Sequence, residues 1–191
     1  MIVLDGKLTS AEIRAELAQK VKSLKTQGKK VPHIAAILVG EDGASKTYVN
    51  AKVRDCEEVG YGSTLIKLPE ETTEYELLKA ISKLNKDEDV DGYIVQLPLP
   101  KHIDEEKILL AVNPNKDVDG FHPTNFGKMA LNMKTFIPAT PFGIMELLKR
   151  YKIKTSGKNT VVIGRSISAK DTKLFRIFSK LLYKIIKKSY I

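Results

Sequence analysis

Tryptophan is absent from the 191 residues, and cysteine occurs once, as Cys56. One thiol excludes a disulfide framework within the chain and suits a reducing compartment, which points to the cytoplasm. Cys56 itself reads as a small core residue rather than a nucleophile. No run of apolar residues is long enough to cross a bilayer. A signal peptide is not expected, because Met1-Ile2-Val3-Leu4-Asp5-Gly6 reads as a short strand and turn already belonging to the fold. No cluster of ligand-type side chains implies a metal. Acidic residues are scarce, but only at one end. From Lys149 onward 13 Lys or Arg stand against one acid, Asp171, for a net +12, whereas residues 1–148 carry 19 basic and 22 acidic side chains, for a net −3. The overall +9 is therefore a property of the last quarter. A nucleic-acid surface interleaves aromatic and basic residues on a folded face. Nothing in the first 148 residues does so, which argues against a nucleic-acid partner.

What the chain does have is 42% hydrophobic residues in a length that fits one large domain or one and a half small ones. Their pattern alternates between helix and strand. Thr9 or Ser10 can cap a helix to about Gln27, with Ile13, Leu17, Val21 and Leu24 on its inner stripe. Ile34–Val39 reads as a buried strand, 43–58 as a helix and Ser63–Leu68 as the next strand. Thr72 or Thr73 starts a helix through Leu77, Leu78, Ile81 and Leu84. Tyr93-Ile94-Val95 is a third strand, followed by a short helix near Asp104–Leu110 and a longer one from Pro141 to about Tyr151. Thr160–Ile163 reads as a last strand. This alternation predicts an α/β fold with a parallel sheet and helices on its faces. There is no internal repeat and no low-complexity linker.

The stretch from Val90 to Pro123 concentrates unusual residues. The Tyr93 strand ends on a lone amide, Gln96, followed by Leu97-Pro98-Leu99-Pro100, where each proline drives the residue before it out of helical geometry. Ligands in open α/β sheets bind just beyond the carboxyl ends of strands, where Gln96 stands. Further on, Lys116-Asp117-Val118-Asp119-Gly120-Phe121 sets two acids around a turn. An amide and a carboxylate on stiff loops suit polar recognition, and equally suit a strand end and a solvated acidic turn. In the second helix Val49, Val53 and Cys56 form the buried stripe, and Ser45, Tyr48 and Lys52 follow a neighbouring line. That places a tyrosine one turn before a lysine, a shelf with an amine above it. The same spacing also fits a lysine snorkelling from the core edge to water.

Together these segments resemble a known family. Ser45-Lys-Thr-Tyr48-Val-Asn-Ala-Lys52, Asp91-Gly-Tyr-Ile-Val-Gln96-Leu-Pro-Leu-Pro100 and Lys116-Asp-Val-Asp119-Gly-Phe-His-Pro123 are similar to blocks of the bifunctional methylenetetrahydrofolate dehydrogenase/cyclohydrolase family. Pro138-Ala-Thr-Pro141-Phe-Gly143 is similar to a further block, with Ala139 where that family often has cysteine. The resemblance spans roughly residues 1–166. It implies oxidation of 5,10-methylenetetrahydrofolate by hydride transfer to NADP, then hydrolysis of the methenyl product to 10-formyltetrahydrofolate in the same cleft. It implies Lys52 as the catalytic amine that gives and takes a proton, with Gln96 as the amide that aims it. Tyr48 is implied as the ring that stacks on the folate, and Asp119 as the carboxylate that binds the pterin edge. Leu97 and Pro98 line the same pocket. No metal is implied. Dimerisation through the second domain is usual in the family and is in question for this chain.

The resemblance thins in the cofactor half. Val161-Val-Ile-Gly164-Arg165-Ser166 is similar to the family's strand and phosphate turn, so Gly164, Arg165 and Ser166 are the expected NADP contacts. The family's next glycine and proline are replaced by Lys170 and Thr172, and the strands that would complete a Rossmann-type domain do not follow. The expected division is a three-layer, folate-binding catalytic domain over 1–140, a connecting helix and turn over 141–158, and the incomplete start of an NADP-binding domain over 159–191, divergent and basic from about Ile167. Thr172–Ile191 contains no Gly, Ala, Val, Asp or Glu, which supply 60 of the first 171 residues and are all encoded by codons beginning with G. That absence suggests a reading-frame slip near Ile167. The alternatives to an active enzyme are a non-catalytic folate-binding fragment, or a chain whose basic amphipathic tail anchors it to a membrane or an acidic partner. Reduction of NADP by this chain is expected to be weak or absent, and a spectrophotometric rate typical of the family would contradict this.

Overall fold

The computed structural model describes residues 3–158. They fall into two compact units: residues 7–138 form one, and residues 3–6 with 139–158 belong to the other. The larger unit is built on three strands, β1 (His33–Val39), β2 (Gly62–Leu68) and β3 (Gly92–Val95), in the order β2-β1-β3. Both pairings are parallel, with Ile34 opposite Ser63 on one side and Gly92 on the other. The expected α/β architecture with a parallel sheet is thus the observed one.

The central strand shows why the sheet is covered on both sides. Its residues point alternately to opposite faces, and Ala35 through Val39 are all buried. Ala35, Ile37 and Val39 join Leu77, Ile81 and Leu84 of helix α3 (Glu74–Lys86) and Ile108 of α4 (Glu105–Ala111). Ala36 and Leu38 face the other way, onto Val49 of α2 (Gly43–Val59). A strand covered on both faces must be apolar throughout, which is why Ile34-Ala-Ala-Ile-Leu-Val shows no polar alternation. Helix α1 (Gly6–Thr26) is tied to α2 by an ion pair between Arg14 and Glu58 at 2.8 Å.

Three local departures from the sequence reading have physical causes. Helix α1 begins at Gly6, so the expected strand and turn at the N-terminus give way to irregular chain over 3–5 and a helical turn. Lys7 and Leu8 are good helix formers that extend the helix past the expected caps, and Thr9 lies buried inside it. Helix α5 (Pro123–Ala130) was not foreseen. It is short, carries Gly127 within it, and is capped by His122, whose Nδ1 accepts from the Thr124 N–H at 3.1 Å; histidine lies outside the usual capping set. The available signal was Pro123 at the first helical position. Helix α6 (Ala139–Arg150), in the smaller unit, starts before Pro141, which a first turn accommodates because the N–H that proline lacks would have no intrahelical partner there. The expected strand at Thr160–Ile163 and the tail beyond it lie outside the described residues.

The choice between Thr72 and Thr73 is resolved in favour of Thr73. Its hydroxyl accepts from the Glu76 N–H while the Glu76 carboxylate accepts from the Thr73 N–H at 2.8 Å, a reciprocal capping box. The Thr72 carbonyl instead takes a hydrogen bond from His102 at 2.9 Å. Replacing Thr73 by alanine is expected to lower stability by about 1 kcal/mol. Urea denaturation would register this as a lower midpoint with an unchanged slope.

Candidate active site

Parallel pairing delivers the ends of all three strands to one edge. The ladder continues one residue past β3, where the Gln96 N–H donates to the Ile37 carbonyl at 2.9 Å, so the Gln96 backbone is fixed by the sheet. Its side chain is fixed as well. The amide nitrogen donates to the Leu97 carbonyl at 2.6 Å, which leaves Oε1 to accept from Lys52 Nζ at 3.4 Å. Leu97 and Pro98, joined by a cis peptide bond, stand exposed beyond it, and Leu99 turns back into the core.

Lys52 reaches this edge from α2. The helix is held at its start by Asp42, whose carboxylate accepts from the Ser45 N–H at 2.8 Å, and it ends at Gly60 in left-handed geometry. Between these caps Ser45 and Val49 are buried, while Lys52 keeps 39% of its side chain accessible. Tyr48, one turn earlier, is 65% exposed, so its ring stands out from the helix. Cys56, half-buried one turn after Lys52, has its thiol pushed up by burial, with Asp55 and Glu57 adding to the effect. A raised thiol pKa argues against a nucleophile, but Cys56 and Val53 are only partly buried, so of the expected stripe Val49 alone lies in the core.

Asp119 completes the cluster from the loop after α4, its Oδ2 3.8 Å from Lys52 Nζ with 23% of its side chain accessible. The loop runs beside β3, where the Tyr93 N–H donates to the Lys116 carbonyl at 2.8 Å and Tyr93 and Asp117 form a parallel bridge. The motif Lys116–Gly120 divides its work. Lys116 Nζ donates to the Leu84 and Asp87 carbonyls at the end of α3, a cation on a helix C-terminus. Val118 packs so closely over Gly92 that a Cβ there would overlap it. Gly120, at φ +70, lies against the Ile137–Pro138 backbone, where a Cβ would come within 2.7 Å. Only Asp119 is offered to the edge.

Of the residues expected at a site, Lys52, Gln96 and Asp119 are brought together, Tyr48 stands one helical turn from Lys52, and Leu97 and Pro98 line the rim beside Gln96. Gly164, Arg165 and Ser166 lie outside the described residues. Among the described residues no group of three or more His, Cys, Asp or Glu is placed to hold a metal. Burial pushes the Asp119 carboxyl above its usual range, Lys52 pulls it back only in part, and Asp117 adds to the rise. The arrangement is a partly exposed amine between an amide oxygen and a carboxylate, with an exposed aromatic residue one helical turn away. Such a group can pass a proton to a flat polar ligand.

Comparison with known proteins gives a consistent picture. A family model described as tetrahydrofolate dehydrogenase/cyclohydrolase, catalytic domain, matches residues 4–119, and its NAD(P)-binding domain counterpart matches residues 138–173. The bifunctional protein FolD of Flavobacterium johnsoniae is 68% identical over 166 residues, which make up 87% of this chain and 56% of that protein. The crystal structure of the bifunctional enzyme FolD from Campylobacter jejuni, a methylenetetrahydrofolate dehydrogenase/cyclohydrolase, superposes with a TM-score of 0.82 at 48% identity, covering 87% of this chain and 59% of that one. The Trypanosoma brucei methylenetetrahydrofolate dehydrogenase-cyclohydrolase, solved with NADP cofactor and an inhibitor, gives a TM-score of 0.81 at 32% identity, covering 86% of this chain and 57% of that one. The chain therefore spans a little over half the length of the curated relatives it matches.

The raised Asp119 carboxyl has a consequence for stability. The folded state holds the Asp119 proton to higher pH than the unfolded state does, so this group's contribution falls as pH rises from the usual carboxylate value through its folded one. Above that window its charge costs the fold free energy. Asp119→Asn is therefore expected to raise Tm at pH 7, with the gain shrinking toward pH 4. Thermal scans at the two pH values measure it, and a lower Tm for the variant at pH 7 would contradict it.

Proposed function

The chain belongs to the tetrahydrofolate dehydrogenase/cyclohydrolase family, and on that premise we propose that it interconverts one-carbon derivatives of tetrahydrofolate at the Lys52 edge of its sheet. In this reading residues 1–140 hold the folate, 141–158 connect, and 159–191 begin the part that receives NADP. The pterin stacks on the Tyr48 ring, whose exposure leaves a face free for it. Asp119 accepts hydrogen bonds from the amino edge of the pterin, a charge-assisted contact. Leu97 and Pro98 close the side of the pocket next to Gln96.

The hydrolytic step follows from the placement of Lys52. Water adds its oxygen to the carbon bridging N5 and N10, and one of its protons passes to the Lys52 amine. The bond from that carbon to N5 then breaks, N5 receives a proton from Lys52, and the hydroxyl of the adduct becomes the carbonyl of 10-formyltetrahydrofolate as its proton leaves to water. Gln96 keeps the amine aimed throughout, because its own nitrogen is committed to Leu97. NADP, bound by Gly164, Arg165 and Ser166, would supply the hydride acceptor for the preceding oxidation of the methylene bridge. The proposal places the protein in the cytoplasm with no nucleic-acid or membrane partner. Among the described residues no helix is long and apolar enough to cross a bilayer.

The single observation that carries this reading is the convergence of Lys52 Nζ on Gln96 at 3.4 Å and on Asp119 at 3.8 Å. Loss of methenyltetrahydrofolate absorbance, followed with purified protein, tests it. Lys52→Ala is expected to slow hydrolysis by roughly 10²-fold or more, as loss of a positioned general acid/base does. Folate affinity should stay within a few-fold. Hydrolysis at the parent rate in the variant would overturn the role of Lys52, and absence of hydrolysis in the parent chain would leave folate binding without turnover.

A further inference from the structure

The second acid of the Lys116–Gly120 motif does not face the site. Asp117 is 4% exposed, and three N–H groups converge on its carboxylate. Oδ1 accepts from the Gly120 N–H at 3.1 Å, and Oδ2 accepts from the His122 N–H and from Asn125 Nδ2, each at 2.8 Å. Asn125, fully buried on α5, is itself saturated: Nδ2 also donates to the Pro114 carbonyl at 2.9 Å, and Oδ1 accepts from the Thr135 hydroxyl at 2.6 Å. The chain on both sides of Asp119, from Pro114 to His122, is thus bound to one buried carboxylate and one buried amide. Because Asp119 is destabilised as an anion by its surroundings, a loop free to shift would carry it out toward water and away from Lys52.

We infer that Asp117, acting with Asn125 and Thr135, is the positioning residue that holds Asp119 at folate-binding distance from Lys52. The inference rests on the folate reading of Asp119. A carboxylate is required at 117 because every partner is a donor. An asparagine there keeps one oxygen: aimed at His122 and Asn125 it turns its NH2 toward the Gly120 N–H, and flipped it turns NH2 toward two donors. The volume is unchanged, so the effect is on the loop rather than on core packing.

The test is a double-mutant cycle on the full chain, read as affinity for 5-formyltetrahydrofolate, a stable reduced folate, with Tm recorded alongside. Asp117→Asn is expected to weaken binding roughly tenfold when Asp119 is present and less than twofold in an Asp119→Ala background. In methenyltetrahydrofolate hydrolysis it should raise KM with kcat held. Thr135→Val, which removes only the hydroxyl bound to Asn125, should shift affinity in the same direction by a smaller factor and keeps the test available if Asp117→Asn does not fold. Equal losses in both backgrounds, or no loss in either Asp117→Asn or Thr135→Val, overturn the positioning role while leaving the folate reading intact. An Asp119→Ala variant that binds as tightly as the parent overturns both.

Discussion

Parallel strands send their carboxyl ends to a common edge, and everything at the candidate site hangs on that constraint. The ladder between β1 and β3 ends with the Gln96 N–H on the Ile37 carbonyl, which sets the amide at the edge by backbone geometry alone. Tyr93 then carries the pairing outward, accepting the Lys116–Asp117 segment as a partial fourth strand. The buried Tyr93 hydroxyl donates to Asn85 at 2.7 Å, and Asn85 in turn receives the Asn113 N–H at 2.9 Å, so the incoming loop is anchored before it reaches the sheet. Helix α2 supplies the amine from the other side of the same edge. Three elements distant in sequence meet because the strand end and the loop are fixed by backbone hydrogen bonds, and α2 by the packing of Val49 on Ala36 and Leu38.

The two acids of the Lys116–Gly120 motif show how a polar site is maintained against its own cost. Asp117 is a buried carboxyl group that accepts from three protein donors, which is the condition under which burial is tolerated. Asp119 is held partly buried with only an incomplete ion pair, 3.8 Å from Lys52. A carboxylate kept short of partners is available to a ligand that brings hydrogen-bond donors of its own.

Much of this was legible in the sequence, and the limits are physical. The apolar run Ile34–Val39 could only be a strand covered on both faces, and Gln96 before Leu-Pro-Leu-Pro had to be a strand end. Tyr48 and Lys52 declared their proximity by helical spacing, while the approach of Asp119 to Lys52 is a contact across 67 positions that no local pattern encodes. Local reading also left Asp117 and Asp119 alike, since each is an aspartate beside a valine near a turn; only the donors arriving from Gly120, His122 and Asn125 separate them. Helix α5 escaped because its cap is a histidine and its interior holds a glycine, both poor helix signals. The outward stance of the Tyr48 ring depends on how deeply Ser45 and Val49 are buried, a packing outcome rather than a spacing.

The account turns on a folate lying between Tyr48 and Asp119 with its reacting carbon over Lys52. A crystal structure of the protein with 5-formyltetrahydrofolate measures this directly. The pterin edge should sit on Asp119 and its ring against Tyr48, with the N5 substituent within about 3.5 Å of Lys52 Nζ, the reach a proton transfer needs. A folate bound elsewhere on the chain, or one whose N5 lies far beyond that reach while Lys52 points into open water, would contradict it.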